Sequence, residues 1–323
     1  MEESNKKQGV RAIWNLNRNC NFDCSYCFVG LKNGKPGRGM EVDVPALKNS
    51  GIPFCEINMS GGEPFIYPSF VDLCIELCKF TNISVTTNCS TSNVYDFADR
   101  VNPDNVEFLM VSLHIGQRPG GYDSLIDKIL YLRKKGFCVL VTQVIHPSLF
   151  EEYQKVYKYF ESRDVLVVPK PMKGVWRLRE YPCGYSEQQK RTILKYAEWS
   201  KSQHNAYREM ALNPMIYGHM DWKGQPCGAG CSSVVIRYNG DVCRCYGDPV
   251  LLGNIYRGNV KLFDTVRSCP SDFCSCEIEG RYHHAVDGFV HTRQDNVYVA
   301  RQCVGSLMRR SNFLKQFLGD DGK

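Results

Sequence analysis

Residues 20–27 read CNFDCSYC, three thiols separated by three and then two residues, directly after a strand-like run from Arg11 to Asn17. A loop this short can wrap three thiolates around three corners of an iron-sulfur cubane. Four protein thiolates complete an electron-transfer cluster, so three leave one iron open to bind something else. A structural zinc site is the alternative, but no His or Cys follows nearby at zinc-finger spacing.

Outward from this loop, strand-like runs at Cys55 to Ser60, Ile83 to Thr87, Val106 to His114, Phe137 to Ile145 and Asp164 to Pro169 alternate with helical patterns. The helical stretches are Ser69 to Lys79, Ser92 to Arg100, Gly121 to Lys135 and Leu149 to Ser162, the third ending at Gly136 as a left-handed cap requires. Such alternation predicts an α/β fold with a parallel sheet and right-handed crossovers. Apolar runs such as VEFLMVSL fit burial on both faces. After Pro169 a Pro- and Gly-punctuated link leads to an amphipathic helix over about Ser186 to Ser202. Beyond it the chain turns rich in Cys and Gly, with a hairpin signal at Asn239-Gly240 and a last helix over about Val304 to Leu318.

Seventeen cysteines in a chain of 323 residues without an export signal are too many for a disulfide framework in a reducing compartment, which points to metal coordination. Not all need be ligands: Cys55, Cys74, Cys78, Cys89 and Cys138 sit in apolar patterns where cysteine acts as a small buried hydrophobe. The net charge of +6 is scattered, its densest groups being Arg133, Lys134, Lys135 and Arg309, Arg310, so neither a nucleic acid nor a membrane is expected as a partner. With no signal peptide and no long apolar run, a cytoplasmic protein is expected.

Cys20, Cys24 and Cys27, with aromatic Tyr26 before the third thiol, resemble the C-x3-C-x2-C signature of the radical S-adenosylmethionine (radical SAM) superfamily. Ser60-Gly61-Gly62-Glu63-Pro64, after the second strand, resembles that family's GGEP motif; standing alone it would be a strand-exit turn. The resemblance implies a partial (β/α)6 TIM-type barrel over residues 1–202, including the linker and following helix. It also implies a [4Fe-4S] cluster on the three thiolates, with SAM chelated to the open iron, and reductive cleavage of SAM to a 5′-deoxyadenosyl radical. Gly61, Gly62, Glu63 and Pro64 would receive the amino group of SAM, with Tyr26, Asn88, Ser112, His114 and Gln143 completing its site. For His114 the SAM contact stands level with the alternatives, a substrate-facing group or one simply hydrogen-bonded in the barrel mouth.

Cys227 is followed by twelve residues, Gly240, four residues and Cys245, which resembles the opening of SPASM and twitch extensions. The resemblance implies a twitch/SPASM-like cysteine-rich extension over residues 203–323, carrying one auxiliary [4Fe-4S] cluster on Cys227, Cys245 and two of Cys269, Cys274 and Cys276. Zinc on the same thiolates is the alternative. Cys231 and Cys243 are surplus to the pattern, and either is a candidate hydrogen-atom donor or a packed cysteine.

An enzyme of this kind, fed electrons by a flavodoxin- or ferredoxin-type donor, abstracts a substrate hydrogen and then epimerises or oxidises the product. Only about ten residues precede the first strand, which favours a carbohydrate- or aminoglycoside-like small molecule over a peptide met through a leader-recognition domain. A peptide epimerase or cross-linking enzyme is the runner-up. An iron-sulfur electron-transfer protein or a structural zinc protein is the non-enzymatic alternative.

Overall fold

The computed structural model describes residues 9–27, 37–203 and 223–270. Six parallel strands lie side by side in chain order: β1 (Val10–Asn17), β2 (Phe54–Gly61), β3 (Asn82–Thr87), β4 (Val106–Ser112), β5 (Val139–Ile145) and β6 (Val167–Pro171). Helices α1 (Met40–Asn49), α2 (Phe70–Cys78), α3 (Asn93–Arg100), α4 (Asp123–Lys134) and α5 (Phe150–Glu161) occur in turn between them. This is the α/β alternation that the hydrophobic pattern predicts. Helix α1 lies outside that pattern, because the Gly- and Pro-rich approach and Pro45 inside the helix hide the burial of Val44 and Leu47.

The strands do not bury two apolar faces. One face, including Ala12, Trp14, Leu16, Ile57, Met59, Val85, Leu109, Val111 and Val141, belongs to the main hydrophobic core. Residues alternating with these are largely polar, as a strand's period of two requires. Asn58 Nδ2 donates to Ser84 Oγ at 2.8 Å, Ser84 Oγ to Glu56 Oε1 at 2.6 Å, and Asn82 Nδ2 to Glu107 Oε1 at 2.6 Å. A polar face runs along the sheet, on the side away from that core. Cys74, Cys89 and Cys138 are buried and Cys78 partly so, but Cys55 is exposed. Val10 pairs with Phe54 and Arg11 with Glu56, so Cys55 is the extra residue of a bulge and is left outside the ladder.

Beyond β6, a small hairpin of β7 (Gly174–Trp176) and β8 (Arg179–Tyr181) precedes α6 (Glu187–Gln203). Ser186 and Gln189 exchange side-chain-to-backbone hydrogen bonds at the start of α6, a capping box that places its beginning where the sequence indicates. Short strands β9 (Pro226–Cys227) and β13 (Arg267–Ser268) pair with each other.

The cysteine-rich hairpin joins the main sheet. Strand β10 (Ser233–Ile236) pairs in parallel with β1, and β11 (Asp241–Cys243) and β12 (Leu251–Asn254) continue antiparallel, making nine strands in one sheet. Gly240 provides the positive φ, 85°, of the tight turn, and a Cβ there would stand 2.2 Å from the Tyr256 ring. Tyr256 donates to Asp43 Oδ1 at 2.6 Å, and Tyr67 donates to Asp43 Oδ2, so one carboxylate ties this region to α1 and to the turn after β2. No helix among the described residues is long and apolar enough to cross a membrane. Cys274, Cys276 and the helix expected over about Val304 to Leu318 lie outside the described residues.

Candidate functional site

The cysteine loop leaves the carboxyl end of β1 and is fastened to the ends of the neighbouring strands. Gly62 N donates to Asn17 O at 2.9 Å and Glu63 N to Asn19 O at 2.8 Å. Asn21 donates to Ser90 Oγ at 2.7 Å and accepts from Asn88 Nδ2 at 2.9 Å, while Asp23 N donates to Gln117 Oε1 at 2.8 Å. The approach is so close that a Cβ on Gly62 would lie 1.8 Å from Asn19 O. Both motifs therefore need each other for backbone packing, whatever they bind.

The Cys27 charge disfavours ionisation of both Cys20 and Cys24, and the Cys20 charge that of Cys24, so the three thiols stand close together. Burial, with the Cys27 charge second, pushes the Cys24 thiol up to about 11. Phe22 N points at Cys20 Sγ, 3.5 Å away. Among the described residues no three His, Cys, Asp or Glu side chains converge tightly enough to hold one metal ion. A cubane takes its thiolates at separate iron corners, so three spaced thiols at a strand end suit that group in donor chemistry, and its irons would supply the positive charge that keeps buried Cys24 and its two neighbours ionised.

Glu63 is almost completely buried, and its carboxylate is occupied from within. Oε1 accepts from Phe65 N at 3.0 Å and Thr87 Oγ1 at 2.5 Å, and Oε2 accepts from Asn88 N at 2.6 Å. Glu63 caps a short 3-10 turn that starts at Pro64, the residue type that opens a helical turn at no hydrogen-bonding cost. An open acceptor nearby is Asn17 Oδ1, buried without a partner among the described residues while its Nδ2 donates to Glu63 O at 3.1 Å. A Cβ on Gly62 would lie 2.6 Å from that oxygen. An ammonium group at this glycine step meets a free acceptor in Asn17, a residue the motif pattern does not single out.

His114 Nδ1 lies 3.2 Å from Cys24 Sγ and 3.1 Å from Tyr26 Oη, and its ring stacks on Tyr26 and meets Phe22 edge-on. Burial, with the Arg118 charge second, pushes His114 down to about 4, leaving a neutral imidazole at neutral pH. Gln143 Oε1 accepts from Ile115 N at 3.0 Å, and its side chain also bonds Tyr26. Ser112 ends β4 on the polar face, beside Thr142 of β5. Arg118, which no motif marks, donates from Nε to Leu113 O at 2.7 Å and from its Nη2 to Asn88 O and Ser112 O, beneath the Phe22 ring. The structure thus brings Tyr26, Asn88, His114 and Gln143 into one network around the cysteine loop and adds Asn17 and Arg118.

The second thiol group lies at the β9–β13 pair and just beyond β11. Cys227 and Cys269 are buried together, with Cys245 packed against them, and burial pushes Cys227 up to about 11. Arg244, 6% exposed, holds the segments that carry them: Nε donates to Ala229 O at 3.2 Å, Nη2 to Ser268 O at 2.8 Å, and Nη1 pairs with Asp248 at 2.7 Å. Cys231 and Cys243 stand apart from this trio: the charge acting on Cys231 is Asp264, and those on Cys243 are Arg237 and Asp241. Cys243 pairs with Val235, itself the register partner of Ile13, and so lies on the sheet face that continues the polar interior.

Residues 14–160 match the family described as the Radical SAM superfamily. A segment of 89 residues is 32% identical to the "S-adenosylmethionine-dependent nucleotide dehydratase RSAD2" of Oncorhynchus mykiss, over 24% of each chain. The crystal structure of Streptococcus suis SuiB bound to S-adenosylmethionine is similar with a TM-score of 0.56 and 14% identity, over 77% of this chain and 64% of SuiB. Native anSMEcpe with bound AdoMet and Cp18Cys peptide gives 0.54 and 15%, over 95% of this chain and 99% of that one. The chain therefore spans less than two thirds of SuiB and about a quarter of the trout relative.

Proposed function

With residues 14–160 forming a radical SAM domain, we propose that this chain is a radical SAM enzyme that abstracts a hydrogen atom from its substrate. The observation that carries the reading is the joint between the CNFDCSYC loop and the Gly61–Glu63 step, where three thiols and one unpartnered buried acceptor, Asn17 Oδ1, meet at the strand ends. A [4Fe-4S] cluster held by Cys20, Cys24 and Cys27 would supply the electron that cleaves bound SAM to methionine and a 5′-deoxyadenosyl radical. Asn17 accepts from the amino group of SAM, and Gly61 and Gly62 allow its approach. Glu63 and Pro64 hold that loop in shape. Tyr26, His114 and Gln143 wall the site with neutral groups, and Asn88, Ser112 and Arg118 keep the strand ends together. Cys227, Cys245 and Cys269, with Cys274 or Cys276, hold one auxiliary cluster in the region from residue 203 onward.

The polar interior suits a hydrophilic substrate group, whether of a carbohydrate-like molecule or of a peptide side chain. The peptide reading draws support from the likeness to anSMEcpe, solved with a peptide bound. Of the two surplus thiols, Cys243 is the better hydrogen donor because it lies on the interior face. Its S–H bond would break as a C–H bond forms, and the sulfur radical left behind would be reduced by one electron from a flavodoxin- or ferredoxin-type protein. Product formed in deuterated water then carries one deuterium. Product without it, and short of two electrons, identifies oxidation instead. The reading as a whole is tested by incubating anaerobically reconstituted protein with SAM and dithionite: 5′-deoxyadenosine should form, and its absence from protein of full iron content refutes the assignment.

A further inference from the structure

The polar face of the sheet carries a charge that no described residue answers. Lys170 stands near the carboxyl end of β6, opposite Val144 of β5, and alternates with core residue Val167 so that it projects from the sheet face away from the core. Its Nζ reaches Met110 Sδ on β4 at 3.9 Å, and among the described residues no carboxylate lies within salt-bridge distance of it. The acid on the same strand as Met110 is Glu107, three residues toward the other end, about 10 Å along the strand, and it accepts from Asn82. A partly buried ammonium with three donors and only a thioether beside it is poorly solvated by the protein.

The rim above it is cationic as well. From Lys170 to Tyr181 the chain reads KPMKGVWRLREY, with Lys170, Lys173, Arg177 and Arg179 against the single acid Glu180. The β7–β8 hairpin stands at the mouth, since Trp176 packs edge-on against His146 at 4.9 Å and His146 lies 5.8 Å from the Tyr26 ring. Arg177 lies over the Trp176 ring at 4.6 Å. Like charges lining one side of a cleft with low-dielectric walls raise the local concentration of the opposite ion.

We propose that the substrate bears an oxyanion, a phosphate or a carboxylate, which Lys170 binds inside the barrel after the Arg177–Arg179 rim has drawn it in. The inference deepens the radical SAM reading by naming the charge of the substrate, and it rests on that reading for the reaction. Pyridoxal 5′-phosphate tests it as a probe of lysines in anion sites: its aldehyde condenses with the amine, losing water, and borohydride reduces the C=N bond to a stable, mappable adduct. On the reconstituted protein, Lys170 should be labelled about tenfold faster by pyridoxal 5′-phosphate than by pyridoxal, a factor worth about 1.4 kcal/mol, while exposed lysines show little preference. Millimolar pyrophosphate and citrate are the competing arms: protection by the first alone assigns a phosphate, and protection by the second alone a carboxylate. Replacing Arg177 and Arg179, as R177S/R179S on the exposed hairpin, should lower the phosphate preference at Lys170 without touching that residue. Equal labelling by the two aldehydes, or protection by SAM and by neither anion, overturns the inference. The labelling needs no SAM cleavage, so failure to form 5′-deoxyadenosine refutes the reading beneath it and leaves this result standing or falling by itself.

Discussion

The two thiol groups of this chain lie on different parts of the fold and are held in different ways. Cys20 to Cys27 follow the carboxyl end of β1, whereas Cys227 precedes β10, whose first residue, Ser233, lies beside Arg11 at the amino end of β1. From Arg11 to Asn17 is six residues, about 20 Å along the strand. The first loop is fastened by hydrogen bonds from several strand ends, with Asn17, Asn88 and Gln117 among the partners. The second depends on a buried guanidinium, Arg244, that gathers carbonyls from separate segments. A site spread over many strand ends should tolerate loss of one contact, while a site hung on one buried charge should not.

Removing Cys20, Cys24 and Cys27 together, each to Ala, separates the two regions most sharply. Of about eight irons in the two-cubane reading, about half should remain and no 5′-deoxyadenosine should form; iron analysis beside chromatography of the products decides it. Retained SAM cleavage would break the distinction between the sites.

A smaller but still site-limited effect is expected of Gly62→Ala. Its Cβ meets the backbone oxygen of Asn19, so the cysteine loop itself must shift, and SAM affinity and iron at the first group should fall together. Calorimetry without oxygen showing weaker SAM binding at full iron content would move the glycine's role from backbone packing to direct contact with the cofactor.

Arg244→Leu tests the other half of the comparison. Losing the buried guanidinium leaves the Ala229 and Ser268 carbonyls without their donor and half-buried Asp248 without its pair, which should cost about 2 kcal/mol, loosen Cys227 from Cys269 and lower iron at the second group, with SAM cleavage continuing at the first. Equal iron loss at both groups, resolved by spectroscopy of the two clusters, would show that they fold as one unit.

The smallest effect should come from Tyr256→Phe, which deletes one hydrogen bond to Asp43 between the hairpin region and the helical layer. About 1 kcal/mol of stability should be lost, read from denaturant unfolding, with SAM cleavage unaltered. A loss of activity would mean that this joint positions the first site through the sheet.

The alternation of strands and helices, the spacing of both cysteine groups and the Asn239-Gly240 turn were legible in the sequence, because each depends on residues close together in the chain. Helix α1 was hidden by Pro45 and the exposed face of Cys55 by a bulge, both local exceptions to a periodic pattern. Glu63 shows a further limit: its motif marks it as a ligand, but Thr87 and the backbone of Phe65 and Asn88 consume its carboxylate, and Thr87 and Asn88 reach it only when β2 and β3 lie side by side.

By itself the sequence determined the fold class, the two thiol groups and the chemistry those thiols suit, since short spacings and strand periodicity need no knowledge of distant partners. Only the tertiary structure decided that β10 would pair with β1, that Arg118 would join strand ends, and that among the described residues Asn17 would keep an open acceptor and Lys170 would face the interior without a counter-charge. Those outcomes follow from register, and register sets which side chains meet across strands that are far apart in the chain.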